Sequence, residues 1–233
     1  MTVSVKKALE RIKSLEIFNN DAGLYFIGGT ALAYYLDHRI SEDIDIISIE
    51  RLSHREIISM VTSIGGIKLR DENAVALRMA GLVPDEYMLK FNLDGVKLEF
   101  FRASTPLQIK ILKSAKASIY LEGTLKILDV KSIAKLKLIA LLSRNKSRDL
   151  FDFKVILEEN ILTVDEIIEI IIETRYKLET MDSLYKFVEN REEPKDDEVV
   201  YLDEEQPINL SFEEIKLATL KVLNSFNSRG QSK

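Results

Sequence analysis

The apolar residues of this 233-residue chain change their spacing near residue 130. Before that point, short runs typical of strands stand between stretches with helical spacing, and some of the runs alternate polar with apolar residues. After it, apolar residues recur only at the three- and four-residue intervals of helices. We therefore predict an α+β fold, with an α/β domain over residues 1–130 and a helical bundle domain over residues 131–233.

Individual elements follow from the same patterns. In the N-terminal half, the predicted helices are 4–17, 30–36 and 53–64, the last with Ser53 as its cap, and the predicted strands are 24–27, 44–49, 75–82, 86–93 and 96–102, with short edge strands between 118 and 130. Asp94-Gly95 separates the last two long strands and is a strong hairpin signal. In the C-terminal half, the predicted helices are 131–143, 148–159, 163–176, 177–190 and 211–226, and the acidic stretch 190–207 is predicted to be a loop.

The composition excludes several classes of protein. The chain contains no cysteine, so disulfides and thiolate zinc sites are ruled out. Its first residues alternate charged with apolar side chains, unlike a signal peptide, and its apolar runs are too short to span a membrane. We therefore expect a soluble, cytoplasmic protein.

Charge is unevenly distributed along the chain. The formal net charge is −5, yet residues 102–148 contain eleven basic and only two acidic residues. A basic segment in an acidic protein can attract a polyanion, and the run Lys110, Lys113 and Lys116 could follow an RNA backbone. Solvated lysines on helix and strand faces explain the segment equally well.

Two aspartates, Asp43 and Asp45, stand in a predicted strand among isoleucines. Residues i and i+2 of a strand project to the same face, with their Cα atoms about 6.5 to 7 Å apart. Carboxylates that close repel each other unless a cation lies between them, and Mg²⁺ prefers one or two carboxylates together with phosphate oxygens. The alternative is that one aspartate caps a turn while the other is solvated.

Gly28, Gly29 and Thr30 lie between a predicted strand and the helix that follows it. The free N–H groups and the dipole at a helix start favour an anion, glycine lets a phosphate approach the backbone, and the threonine hydroxyl is a further donor. Alternatively, the glycines form a tight turn and Thr30 is an N-cap. Together with the aspartates, this stretch contains the residue types that bind the two ends of a magnesium–NTP complex.

A third carboxylate is expected from a neighbouring strand, and Glu99 is the best candidate. Lys97, Glu99 and Phe101 alternate with Val96, Leu98 and Phe100, so the glutamate lies in a strand that should run near the centre of the sheet. The alternative is a solvent-facing glutamate paired across the strands with a lysine such as Lys90.

A second group of polar residues follows a hundred positions later. Lys137 and Arg144 are seven residues apart, which places them on one helix face. Ser147 then begins another predicted helix, which contains Asp149 and Asp152. These aspartates either belong to a site or are simply favourable charges near a helix N-terminus.

His38 and Arg39 precede the acidic strand. His38 and His54 lack metal-ligand spacing, so we expect both at the surface. Arg39 either contacts a phosphate or the acceptor, or lies on the surface as well.

The stretches GGTALAYYLDHRISEDIDI, residues 28–46, and SIAKLKLIALLSRNKSRDLFDF, residues 132–153, resemble the AbiEii/AbiGii-type nucleotidyltransferase family, the toxins of type IV toxin–antitoxin systems. The first is similar to the glycine-rich motif with its Ser-x-Asp-x-Asp, and the second to the family's Lys-x6-Arg and Arg/Lys-Asp-x-x-Asp signature. The resemblance covers about residues 24–155. It implies the nucleotidyltransferase fold, a mixed sheet with flanking helices, and with it Mg²⁺ (or Mn²⁺), an NTP donor and an antitoxin encoded nearby.

The resemblance also implies roles for individual residues. Gly28, Gly29 and Thr30, with Lys137 and Arg144, would bind the nucleotide; Asp43, Asp45 and Glu99 would bind the metal; Asp149 would act on the acceptor, organise the site or serve as general base; and Ser41, Arg39, Arg148 and Asp152 would support these residues. One departure is that the third carboxylate, often aspartate in nucleotidyltransferases, is the longer Glu99 here. That puts a two-metal mechanism in question.

Three functions compete at this point. The first is a Mg²⁺-dependent nucleotidyltransferase toxin that transfers NMP to RNA (tRNA in some relatives) or to a protein. The second is a nucleotide-binding or regulatory relative without catalytic turnover, and the third is a small-molecule nucleotidyltransferase of the antibiotic-modifying type. The third would not be expected to contain the second motif block, and we favour the first.

Overall fold

The computed structural model describes residues 1–19, 23–72, 74–174, 178–195, 200–201 and 209–230. The chain divides into two compact units. Residues 1–37 and 41–129 form the first, which we name the sheet unit, and residues 38–40 and 130–233 form the second, which we name the helical unit.

The sheet unit contains five helices and seven strands among the described residues. In chain order they are α1 (Val3–Ile12), β1 (Leu24–Ile27), α2 (Gly28–Leu36), β2 (Asp43–Ser48), α3 (His54–Ser63), β3 (Ile67–Lys68), α4 (Ala74–Met79), β4 (Met88–Leu93), β5 (Val96–Arg102), α5 (Pro106–Ser114), β6 (Ala117–Ile119) and β7 (Lys126–Leu128), with single 3₁₀ turns at Glu16–Phe18 and Pro84–Glu86.

The seven strands form one mixed sheet in the order β3-β4-β5-β2-β1-β7-β6. Strand β2 lies at its centre, antiparallel to β1 and parallel to β5. The predicted edge position of residues 126–128 is wrong, because β7 pairs with β1 on one side and with β6 on the other.

Alternating side chains divide the two faces of the central strands. Ile44, Ile46 and Leu98 are fully buried on one face, and the polar residues between them point to the other. The hairpin between β4 and β5 is confirmed, and both Asp94 (φ 53°) and Gly95 (φ 84°) adopt the left-handed backbone that a two-residue turn of this kind requires.

The predicted strand over residues 75–82 is wrong, because most of this segment forms helix α4. Only Ala74 of α4 is buried, whereas Val75 and Met79 are exposed, so this largely apolar run does not correspond to a buried sheet face. The expected cap Ser53 does precede α3, but its side chain makes no capping hydrogen bond. Helix α1 also ends earlier than predicted, at Ile12.

The helical unit contains α6 (Val130–Ser143), α7 (Ser147–Glu158), α8 (Val164–Thr174), α9 (Met181–Glu189), β8 (Val200–Tyr201), β9 (Asn209–Leu210) and α10 (Phe212–Gly230). The five helices confirm the predicted ones, except that α9 begins at Met181, later than the predicted start at residue 177. The ends of two predictions fall on residues 175–177, outside the described residues. Strands β8 and β9 form a small ladder that the sequence patterns did not indicate. Most of the predicted loop 190–207 also lies outside the described residues.

The α+β fold class is confirmed by the mixed sheet, its accompanying helices and the C-terminal helices. Over the described part of the chain, no helix combines the length and hydrophobicity that a bilayer crossing requires.

Candidate active site

The polar face of the central strands carries the predicted carboxylates. Asp45 of β2 lies in register with Glu99 of β5, and Asp43 lies in register with Lys97. Lys90 of β4 faces Glu99 from the other side. Three neighbouring strands therefore contribute one row of charged residues, and β2 and β5 add a second charged pair beside it, because their side chains alternate between the faces in the same phase.

The start of helix α2 lies directly against one of these carboxylates. Ile27, the last residue of β1, pairs with Asp45, and α2 begins at the next residue, Gly28. Gly28 has a φ of +85°, and a Cβ atom at this position would overlap Asp45 Oδ2 and lie 2.8 Å from its Cγ. Only glycine fits here, so the glycine turn and the aspartate strand meet at one place.

Thr30 ties this helix to the aspartate strand. Its buried hydroxyl lies 2.9 Å from Ser41 Oγ and within hydrogen-bonding distance of the backbone carbonyl of Asp43. The N-cap of α2 is Ile27, which makes no side-chain capping bond, so the alternative of Thr30 as N-cap is wrong. The hydroxyl thus positions the start of β2, and a direct role of Thr30 in phosphate binding stays a prediction.

Glu99 pairs closely with one lysine and more loosely with a second, Lys90, whose nearer partner is Asp71 at 3.3 Å. Lys97 Nζ lies 3.0 Å from Glu99 Oε2, and Lys90 Nζ lies 3.9 Å from Oε1. Partial burial alone would lower the pKa of Lys97, but the hydrogen bond to Glu99 and the negative charges of Glu99, Asp43 and Asp45 together raise it. Lys97 is a residue of this face that the motifs do not indicate, although its alternation with Glu99 on β5 places it there.

The acidic residues suit a metal ion that takes some of its ligands from the protein and the others from a substrate. Among the described residues, no group of three or more acidic or histidine side chains is arranged to hold a metal ion. Asp43 and Asp45 offer two carboxylates from one strand face. Mg²⁺ commonly binds one or two protein carboxylates when phosphate oxygens supply its other ligands. Asp43 and Asp45 fit such an ion, and the role of Glu99 as a third ligand stays a prediction.

The helical unit contains a second cluster, centred on the fully buried Asp152 of α7. Its Oδ1 accepts from His38 Nε2 at 2.8 Å and from Arg39 Nε at 2.7 Å. Its Oδ2 accepts from Arg39 Nη2 at 3.1 Å and lies 2.7 Å from Lys137 Nζ. Burial alone would raise the pKa of Asp152, but the charges of Arg39 and Lys137 and the hydrogen bonds hold it well below its usual range.

Asp149 lies one helical turn before Asp152 and is also buried. Its oxygens accept from Arg144 Nε at 2.6 Å and Arg144 Nη2 at 3.0 Å, and Oδ1 lies 3.6 Å from Lys137 Nζ. Burial would raise the pKa of Asp149, but the hydrogen bond from Arg144 and the charges of Lys137 and Arg144 lower it. Lys137 is therefore buried between two carboxylates, nearer to Asp152.

The expected surface position of His38 is wrong, because its side chain is only 3% exposed. The imidazole stacks on Phe151 and contacts Asp152, and Arg39 is buried as well. The partners of His38 and Arg39 lie more than a hundred residues away in the chain, so their spacing in the sequence carries no sign of the contact.

The structure thus collects the predicted residues into two groups. Gly28, Gly29, Thr30, Ser41, Asp43, Asp45 and Glu99 belong to the sheet unit, and Arg39, Lys137, Arg144, Arg148, Asp149 and Asp152 belong to the helical unit. Arg148 is half-buried in the first turn of α7. That both groups act on one nucleotide stays a prediction.

Comparison with known proteins gives three findings. The family described as "Nucleotidyl transferase AbiEii toxin, Type IV TA system" matches residues 9–221. The protein aq_aa25 of Aquifex aeolicus (strain VF5) is 27% identical over 203 residues, which cover 85% of this chain and 89% of that protein. The crystal structure of JHP933 from Helicobacter pylori is similar with a TM-score of 0.50 and 17% identity, over 97% of this chain and 92% of that chain, a likeness of fold alone.

Proposed function

This chain belongs to the AbiEii nucleotidyl transferase toxin family of type IV toxin–antitoxin systems, and from that premise we propose that it transfers NMP from an NTP to an RNA or protein acceptor in a Mg²⁺-dependent reaction. An acceptor hydroxyl oxygen forms a bond to the α-phosphorus, the bond from that phosphorus to the β-phosphate oxygen breaks, pyrophosphate leaves and the hydroxyl proton passes to solvent. A bound magnesium ion would supply neutralisation of the phosphate charge.

One observation carries the proposal: the Gly28 backbone lies directly against the Asp45 carboxylate. The N-cap residue Ile27 provides no side-chain cap for α2, so first-turn N–H groups can bind phosphate oxygens, with the helix dipole favouring the negative charge. Asp43 and Asp45, beside them, would hold the metal that the same phosphates ligate. Positioning and charge neutralisation are the main contributions that such a reaction needs from a protein.

Residues of the helical unit would act on the same reaction by charge. In this proposal, Arg144, whose side chain is 58% exposed, neutralises phosphate oxygens, and the buried Lys137 holds Asp149 and Asp152 in place beside it. Asp149 positions these two cations. It is not the general base, because both its oxygens accept hydrogen bonds from Arg144 and its pKa is lowered. An efficient base has a pKa near the working pH.

The partners follow from the family and from the chemistry. As a toxin of a toxin–antitoxin system, the protein would have a cognate antitoxin, which we expect to be encoded nearby. The exposed side chains of Lys110, Lys113 and Lys116 are consistent with an RNA acceptor, and a protein acceptor remains the other arm of the test. We keep the cytoplasm as the expected compartment.

The test is label transfer from each α-³²P-labelled NTP, with Mg²⁺, to separated RNA and protein fractions of a cell lysate. We expect label in one fraction with the wild type, and at least a hundredfold less with Asp43→Ala. Asp85→Ala is the matched control, since Asp85 pairs with Lys68 away from the aspartate strand. Equal transfer by Asp43→Ala and the wild type would overturn the proposal, as would nucleotide binding without transfer to either fraction.

A further inference from the structure

Lys97 is the cation of the sheet unit that lies closest to the candidate metal ligands in the strand register. It stands on β5 opposite Asp43, one row from Asp45, and its ammonium lies 3.0 Å from Glu99. Its side chain is 44% exposed, so the ammonium can move on its flexible stem without disturbing the core.

The surrounding charges need such a cation. Adjacent strands lie about 4.8 Å apart, so Asp45 and Glu99, in register on neighbouring strands, are close like charges. Asp43 adds a third negative charge on the same face.

We propose that Lys97 is the resident counter-ion of the aspartate pair, and that Glu99 holds Lys97 in place and is not a metal ligand. This inference rests on the proposed function. Before nucleotide binds, Lys97 competes electrostatically with a divalent ion for Asp43 and Asp45. Metal binding by the free protein is therefore weak, and the ion enters together with the triphosphate, whose charge outweighs that of the lysine.

The size of the effect follows from Coulomb's law. A unit charge about 6 Å from a divalent ion changes its affinity roughly tenfold even at the dielectric constant of water. Removing Lys97 alone should therefore tighten metal binding. Removing Lys97 and Glu99 together leaves the net local charge unchanged, so affinity should return towards that of the wild type unless a ligand has been lost.

The test is Mn²⁺ titration of the full chain without nucleotide, followed by electron paramagnetic resonance of the free ion. We expect Lys97→Met to bind Mn²⁺ about tenfold more tightly than the wild type. We expect Lys97→Met/Glu99→Gln to bind within about threefold of the wild type. Lys68→Met is the matched control, because Lys68 is a similarly exposed strand lysine paired with Asp85, and it should not change the affinity.

Two results would overturn the inference. Unchanged Mn²⁺ affinity in Lys97→Met would show that the lysine does not compete with the metal. A double variant that binds at least about tenfold more weakly than the wild type would show that Glu99 is a ligand. A failure of the proposed function would give a different result. If Asp43 is not a metal ligand, Asp43→Asn will bind Mn²⁺ as tightly as the wild type.

Discussion

The two units of this protein contain similar ion pairs in different surroundings. In the sheet unit, the side chains of Glu99 and Lys97 are 15% and 44% exposed. In the helical unit, those of Asp152 and Lys137 are 0% and 9% exposed. A partly exposed pair contributes little to stability and can exchange partners, whereas a buried network is strongly destabilised when one member is removed. The partly exposed pair of the sheet unit can therefore rearrange when a ligand binds, whereas the buried pair of the helical unit stabilises the fold of that unit.

The largest expected effect is that of removing the centre of the buried network. Asp152→Ala would leave Arg39 and Lys137 buried without their main counter-ion, at an expected cost of about 3–5 kcal/mol in the free energy of unfolding. Urea denaturation measures it. Glu158→Ala is the control on the same helix, because Glu158 pairs with Lys154 at the surface, and it should cost about 0.5 kcal/mol. If both variants lost a similar free energy of unfolding, the buried pair would not matter more for stability than the exposed one.

The next effect concerns the glycine beside Asp45. Gly28→Ala would force an alanine into a left-handed conformation, at about 1–2 kcal/mol, and would add an overlap with Asp45 that costs about 1–3 kcal/mol more. Gly81→Ala is the matched control, since Gly81 also has a positive φ (+74°) but no atom lies within 4 Å of its Cβ position. The two unfolding free energies, measured side by side, separate the overlap from the backbone strain. If both variants lost equal stability, the close approach to Asp45 would not matter.

A smaller effect should appear as pH dependence. The pKa of Asp149 is lower in the folded protein than its ordinary value of about 3.9, so its charged form stabilises the fold at and above neutral pH. That stability is lost as pH falls below about 4 towards the folded pKa. Urea denaturation between pH 7 and pH 3 should therefore show a shallower acid decline for Asp149→Asn than for the wild type. Parallel curves would contradict the strong pairing with Arg144.

The smallest effect is expected at the exposed pair of the sheet unit. Glu99→Gln should change the free energy of unfolding by less than about 1 kcal/mol, because solvent screens its pairing with Lys97 and Lys90. Differential scanning calorimetry of this variant beside the wild type measures the change. A loss as large as that of Asp152→Ala would show that the sheet unit also depends on its charges for stability.

Much of the sheet unit could be predicted from the sequence, because its information is local. The alternation in β2 and β5 and the Asp94-Gly95 turn predict the hairpin and the faces of both strands. The same alternation also allows a cross-strand pairing of Glu99 with Lys90, and the structure shows the two residues in register. The motif order in both halves predicted the family, which the match over residues 9–221 confirms.

The remainder depends on contacts that have no local pattern. The contact between His38 and Asp152 joins residues 114 positions apart, and nothing in either neighbourhood indicates it. The strand prediction for residues 75–82 fails for the opposite reason, since this run is almost wholly apolar although none of its residues is buried. Local patterns report a buried face only where another element covers it.

The central position of β2 also determines which parts of the site can move. Its residues pair with β5 over Asp43–Ser48 and with β1 over Asp45–Ser48. In a strand that is paired on both sides, the backbone amides donate to one neighbour or the other and exchange their hydrogens only through large-scale opening. The backbone that bears the two aspartates should therefore be among the slowest to exchange, so the motions that the proposed reaction requires are expected in other parts of the site.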